Sequence, residues 1–456
     1  MTGFDFQLDL PADERRRLAA AWLLFGVAAL LLSGLFVILI ILARTPGLSA
    51  LFPVEDFFRL ALVAHVDLSV LVWFAAVAAM FFVLAARPGD RLVHGSALAL
   101  AAAGVLLIVA APFRPGEAVM SNYVPVLDNG AFLGGLALFG GGIVLLAART
   151  LVRPAPLAAE LTPAGALRFG VLTSAVALVL AAAALAWSWH ALPAGVHGLP
   201  RFEELFWGGG HIAQVAWTQL MLVTWLWLAG AARIRVPVTP RLVIVLLLLG
   251  LLPAVLSLWG YVAHAAGDPG QRQFFTRVML IGGGLAAGPI ALALIAGWGR
   301  SAAASDAATR GLRATLGFSI VLFGLGGLLG YLIEASNTII PAHYHGCIVA
   351  VTLAFLGLAL WLLPRFGAGP VSPQLLVAMP WVYGCGQILH VIGLAVAGGQ
   401  GVQRKTAGAA QGLEGVLQIG GMMVTGLGGL IAVIGGILFL VAVAGALRRR
   451  VRSAEV

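Results

Sequence analysis

The sequence predicts an all-α integral membrane protein, a bundle of twelve transmembrane helices with both termini cytoplasmic. Three observations predict it. Of its 456 residues 61% are hydrophobic and only 10% charged, where a soluble domain carries about 25% charged residues. Apolar runs of about 20 residues, the length that crosses a bilayer, recur along the whole chain. The basic residues fall in short connections between those runs, so the net charge of +9 is a topology signal and not the footprint of a nucleic-acid partner.

The runs lie at 19–43, 60–86, 93–113, 130–148, 169–190, 205–231, 242–266, 275–297, 314–334, 342–364, 375–398 and 423–447. With the N-terminus inside, the cytoplasmic connections hold Arg15, Arg16 and Arg17, then Arg87 and Arg91, then Arg149, Arg153 and Arg168. Arg233, Arg235, Arg241, Arg300, Arg310, Arg313, Arg365, Arg448, Arg449, Arg450 and Arg452 complete that side, 19 of the 27 Lys and Arg residues. Such a bias sets orientation. The start, "MTGFDFQLDLPADERRR", is acidic before it is basic and does not read as a cleaved signal peptide. Glycine clusters such as "FGGGI", "IGGGLAAG" and "GLGGLLG" let neighbouring helices approach closely. No internal repeat or low-complexity linker interrupts the pattern, so residues 1–456 are expected to form one transmembrane domain. Cys347 and Cys385 lie inside apolar runs without CxxC or CxxCH spacing, so neither a disulfide framework nor covalent haem attachment is expected.

The histidines carry the chemistry. Placed on that topology, His65, His211, His264, His343, His345 and His390 come from five runs and fall at one level in the outer part of the membrane. His94, His190 and His197 sit at run ends or in a loop, as interfacial polar residues do. A single buried imidazole is most often a hydrogen-bonded core residue. Six at one depth point to a metal or haem site, because neutral imidazole is the commonest metal ligand and is costly in hydrocarbon otherwise. Positions i and i+2 of a helix point to nearly opposite sides at about 100° per residue. His343 and His345 therefore suit two metals flanking one helix, whereas a pair for one zinc is spaced i, i+4.

These residues resemble the catalytic subunit I of the haem–copper respiratory reductases. "AHYHG" resembles the His-x-His of the helix that separates two haems, and "VAHVDLSVLVWF" resembles the span-two low-spin haem motif. "LFWGGGHIAQ" resembles the stretch that gives a histidine to the non-haem metal, and "HVIGLAVAGGQGVQRKTAG" resembles the span-eleven segment ending in a basic pair. The resemblance covers the whole chain. It implies His65 and His345 as axial ligands of a low-spin haem, and His343 as proximal ligand of a high-spin haem whose other face stays open. It implies His211 and His264 as ligands of a non-haem metal, copper or iron, and Arg404 and Lys405 as counter-charges to haem propionates.

Three departures qualify what is implied. Most of the superfamily has two adjacent histidines in span seven, but here "WGYVAHAAGDPGQRQFFT" has His264 alone. Asp268 lies four residues on, on the same face if the helix continues to Pro269. It either completes a His/His/Asp site that favours iron, as in some nitric oxide reductase branches, or caps the run and starts a turn. The Tyr that commonly follows the span-six His by four residues is replaced by Val215, and Tyr261 is the nearby substitute, with a structural role the stronger reading. Finally, Asp67, Glu203, Glu204, Asp268 and Glu334 all sit in the outer half, and Lys405 is the chain's single lysine. Protons are expected from outside and pumping is not expected, although Gln214, Thr218, Gln219 and Thr224 could carry water inward.

The resemblance thus implies an inner-membrane enzyme of a bacterium with its site toward the periplasm, reducing NO to N2O or O2 to water. The departures favour NO. Electrons would come from a cytochrome c or a dicopper-bearing subunit on the outer face, and bilayer lipid is the other partner. A secondary transporter and a non-catalytic haem sensor are the rival readings; repeated halves would mark the first.

Overall fold

The computed structural model describes residues 3–44, 57–155, 161–404 and 411–454. Twelve helical segments among them are long and apolar enough to cross a membrane. Ten helices or helix pairs alternate direction after α1 (Glu14–Arg44) and span two, which is built from α2 (Phe57–Val66), a π-helical turn (Asp67–Val72) and α3 (Trp73–Leu84). They are α4 (Arg91–Ala110), α5 (Gly130–Val152), α6 (Pro163–Ala191), α7 (Gly198–Ala231), α8 (Pro240–Ser257) with α9 (Trp259–Ala263), and α10 (Pro269–Gly282) with α11 (Ala287–Gly299). Then come α12 (Ala307–Gly330), α13 (Ile339–Leu362), α14 (Pro373–Gly399) and α15 (Val416–Ala454). With an even number of crossings, both ends of the described chain lie on one face, called here the terminal face; the other is the distal face.

Helix boundaries follow local chemistry. Asn129, Thr162, Thr239 and Asp306 each accept a backbone N–H at the start of α5, α6, α8 and α12, and proline opens α6, α8, α10 and α14. Between α4 and α5 the chain forms a short antiparallel hairpin on the distal face, β1 (Glu117–Val119) and β2 (Val126–Asp128). On the terminal face Asp90 accepts from Arg149 at 2.5 Å and Arg153 at 2.8 Å, joining the start of α4 to the end of α5.

Spans two, six and ten form the centre, each 78% buried against 28–50% for the others. In their terminal halves, Trp73–Leu84, Gln219–Gly230 and Val349–Leu360, every residue is buried. The filling is aromatic: Phe74 meets Phe355 edge-on at 5.8 Å and Phe81 lies 6.0 Å from Trp227. Polar atoms there are few, and Trp73 Nε1, Gln219 Oε1, Thr224 Oγ1 and Trp227 Nε1 have no hydrogen-bond partner among the described residues. Trp225 donates to Ser319 at 2.7 Å, and Ser319 donates to the Ala350 carbonyl at 2.7 Å. Gln219, one of the candidate water-carrying residues, donates instead to the Leu247 carbonyl at 2.7 Å.

Glycines set the closest approaches. At the α12/α13 crossing a Cβ on Gly346 would stand 2.8 Å from the Gly326 nitrogen, and one on Gly326 would stand 2.6 Å from the Cys347 nitrogen. Nothing but hydrogen fits between those backbones. Gly346→Val is expected to destabilise the protein by about 1–3 kcal/mol, the usual scale of overpacking, read as a lowered melting temperature in detergent.

Asp90 yields a second expectation. Its hydrogen bond from Arg149, with Arg153 adding charge, holds the carboxyl below the ordinary carboxylate range. A depressed folded-state pKa stabilises above the unfolded value and is lost as pH falls through the folded one. Asp90→Asn should therefore melt earlier at neutral pH and lose less than wild type on acidification.

Candidate functional site

The central packing gives way toward the distal face, and the histidines stand where it does. In span two His65, Val66, Ser69, Val70 and Leu71 are only half-buried; in α13 so are His343, His345, Cys347 and Ile348; in α7 so are Ala213, Gln214, Trp217 and Thr218. Three spans that are sealed at one end thus all open at the same level.

Each imidazole at that level is held in the same manner. His65 is on α2, and its Nδ1 reaches both oxygens of Ser33 on α1, Oγ at 2.7 Å and the carbonyl at 3.1 Å. Nδ1 of His343 meets the Gly326 carbonyl at 2.7 Å, Nδ1 of His345 the Pro341 carbonyl at 3.0 Å, and Nδ1 of His390 the Thr425 carbonyl at 2.9 Å. Nδ1 of His211 meets the Trp207 carbonyl at 2.7 Å. A carbonyl can only accept, so each Nδ1 carries the hydrogen and each Nε2 carries a lone pair. For His65, His343, His345 and His390 no donor among the described residues takes that lone pair. Imidazoles oriented through Nδ1 with Nε2 exposed are the usual form of metal-ligating histidine. Glycine helps here too: a Cβ on Gly330 would stand 2.9 Å from the His343 ring, and one on Gly429 3.3 Å from the His390 ring.

His345 has two imidazole neighbours. His65 is close enough to interact with it electrostatically, and the His390 ring centroid is 4.8 Å away. Two imidazoles bonded through Nε2 to one iron need centroids roughly 6 Å apart, from metal–nitrogen bonds of about 2.0 Å. His390 therefore packs beside His345 and not across an iron from it. The donor set, imidazoles held through Nδ1 with Nε2 left for a ligand bond, fits axial ligation of haem iron.

The residues expected around a non-haem metal are arranged differently. His211 is buried, its Nε2 accepting from the Tyr123 hydroxyl at 2.9 Å. The Tyr123 ring stands 4.8 Å from it, Trp207 4.8 Å and Phe275 5.4 Å. Burial, with the Glu203 carboxylate near, raises the Tyr123 phenol above its ordinary range, so it keeps its proton and donates. The helix does not continue to Asp268 but stops at Ala263, so the condition for a shared face is not met: His264 is extended (φ −136°, ψ 146°), half-buried, with its ring 6.3 Å from Phe274. Asp268 is exposed, its carboxylate accepting the Gly270 N–H at 2.6 Å as the N-cap of α10. Tyr261 shares a hydrogen bond with Ser188 at 2.9 Å. Among the described residues no group of three His, Cys, Asp or Glu side chains is placed to hold a metal ion. The non-haem site does not fit.

On the distal face Arg404 donates to Ser336 at 3.1 Å and to Asn122 at 3.2 Å; Lys405 lies outside the described residues. Sequence reasoning missed Tyr123 and Ser33, each remote along the chain from the histidine it holds. It also missed that Asp67, two residues after the span-two histidine, is buried in the π-helical turn with Oδ2 unpartnered; a carboxylate so close to His65 was the available signal.

No family model matches the chain. It is 28% identical over 493 residues to an uncharacterised protein of Rickettsia prowazekii (strain Madrid E), covering 94% of this chain and 95% of that one. It is also 28% identical over 354 residues to an uncharacterised protein of Aquifex aeolicus (strain VF5), covering 76% and 84%. The solved structure of a haem–copper terminal oxidase dimer superposes with a TM-score of 0.68 at 16% identity, covering 96% of this chain and 84% of that one. At that identity the likeness establishes the fold: the twelve-helix architecture of a haem–copper oxidase subunit I, in agreement with the sequence expectation.

If Asp268 serves as a cap, Asp268→Ala should cost about 1 kcal/mol, while Asp268→Ser should melt like wild type. A serine variant as unstable as alanine would mean that the carboxylate does more than cap.

Proposed function

We propose that the chain is the catalytic subunit of a membrane haem-dependent reductase of the haem–copper superfamily that converts NO to N2O. The observation that carries this reading is the layer of imidazoles, each fixed through Nδ1, standing where the three central spans open. His65 and His345 would hold a low-spin haem and His343 a high-spin one. The haems supply one-electron redox chemistry and a binding position for a diatomic gas.

The protein's own part is separable from that. The Ser33 oxygens and the Gly326 and Pro341 carbonyls orient the ligating rings and make Nε2 more basic. The aromatic terminal halves of spans two, six and ten close the site to that face, so protons enter from the distal face, where Glu203 and Glu204 lie. Glu204 is paired with Arg272, and Glu203 with Asn122 at 2.7 Å. Arg404 and Lys405 would meet haem propionates there. A cytochrome c or dicopper protein would dock on the same face, placing the site toward the periplasm of a bacterial inner membrane.

O2 reduction to water is the second reading, and the contact of Tyr123 with His211 favours it, since a phenol beside the substrate can supply a proton and an electron.

Two measurements test the proposal. His65→Ala should remove the six-coordinate low-spin haem spectrum and spare the high-spin one, and His343→Ala the reverse. Purified protein given NO or O2 under matched electron supply should consume NO and release N2O; rapid O2 turnover without NO loss selects the second reading.

A further inference from the structure

We infer that this chain binds no metal ion at His211 beside the second haem, and that a hydrogen-bonded Tyr123–His211 pair stands there instead. The inference deepens the haem reading above and rests on it only for the words "second haem".

Both nitrogens of His211 are already used, Nδ1 by the Trp207 carbonyl at 2.7 Å and Nε2 by the Tyr123 hydroxyl at 2.9 Å. Coordination through Nε2 would strip a phenol of its acceptor inside the protein and leave its hydroxyl orphaned. The contact is built and not incidental. The run Gly208-Gly209-Gly210 before His211 is the bed for two phenols: a Cβ on Gly208 would strike the Tyr261 hydroxyl, and a Cβ on Gly210 would strike the Tyr123 ring. Tyr123 is presented by the β1/β2 hairpin, whose Asn122 donates to Glu203 on α7 at 2.7 Å and accepts from Arg404 at 3.2 Å.

The other two ligands of the expected set are elsewhere. Phe275 lies against His211 at 5.4 Å, Phe274 against Phe275 at 6.3 Å, and His264 against Phe274 at 6.3 Å, so each histidine packs on a different phenyl ring of the pair. Asp268 is spent on the α10 cap. A catalytic transition-metal site takes about three protein ligands; His211 alone, with both nitrogens engaged, offers none.

The stoichiometry that follows is specific. Two haem irons store two electrons, and 2 NO + 2 e⁻ + 2 H⁺ → N2O + H2O uses two, delivered singly by the external electron-donor protein.

The test is elemental analysis of the purified full-length protein from cells supplied with copper, iron and zinc, with haem measured as pyridine haemochrome on the same sample. The inference expects iron equal to haem and less than a tenth of an equivalent of any other transition metal per chain, unchanged in His211→Ala. One equivalent of additional metal that disappears in His211→Ala while haem is retained overturns it. A sample lacking both haem and other metal would end the haem reading and leave this inference standing. The pair itself is read from the infrared phenol C–O band of ring-labelled tyrosine: the band lost in Tyr123→Phe should shift in His211→Ala, and an unshifted band overturns the pairing.

Discussion

A hydrogen bond from imidazole Nδ1 to a backbone oxygen is the interaction on which the site depends. A histidine inside an apolar bundle must lose one N–H to a partner or bear the cost of an unsatisfied donor. Helix carbonyls are the partners within reach, and Ser33, Trp207, Gly326, Pro341 and Thr425 supply theirs. Once Nδ1 is spent, Nε2 is the only nitrogen left for chemistry. The same constraint that makes these side chains tolerable in hydrocarbon fixes their tautomer and their orientation.

Close helix packing is what makes those carbonyls available. Glycine at the α12/α13 contact brings Gly326 within reach of His343, and the glycines of α15 bring Thr425 to His390 on α14. The terminal halves of the central spans, filled by Trp and Phe, leave no comparable room. The bundle therefore has a sealed end and an open end, and its polar chemistry is confined to the second.

The spans were legible because length and apolarity alone report them, and the expected boundaries differ from the observed ones by up to seven residues at the ends, as at Val416–Ala454 against an expected 423–447. That His65, His211, His343, His345 and His390 lie on spans was legible because the runs follow from apolarity alone. The environment of His211 was not. Tyr123 lies on a hairpin with no helical or strand-length signal, and its contact with His211 exists only after α4, α5 and α7 have packed. The i, i+4 argument for His264 and Asp268 failed physically: the chain turns extended at His264, where "GDPG" ends one helix and caps the next, and Asp268 takes the N-cap that its side chain suits. His390 is one of the six histidines of the expected layer, and the structure adds that its ring lies against His345, an adjacency across α13 and α14 that no spacing within one helix reveals.

The most direct test of the account is the haem content and spin state of the purified wild-type protein. Pyridine haemochrome with low-temperature electron paramagnetic resonance should give two haems per chain, one low-spin with two imidazole ligands and one high-spin. A single haem, or a protein with none, would contradict the claim that these histidines grip two irons.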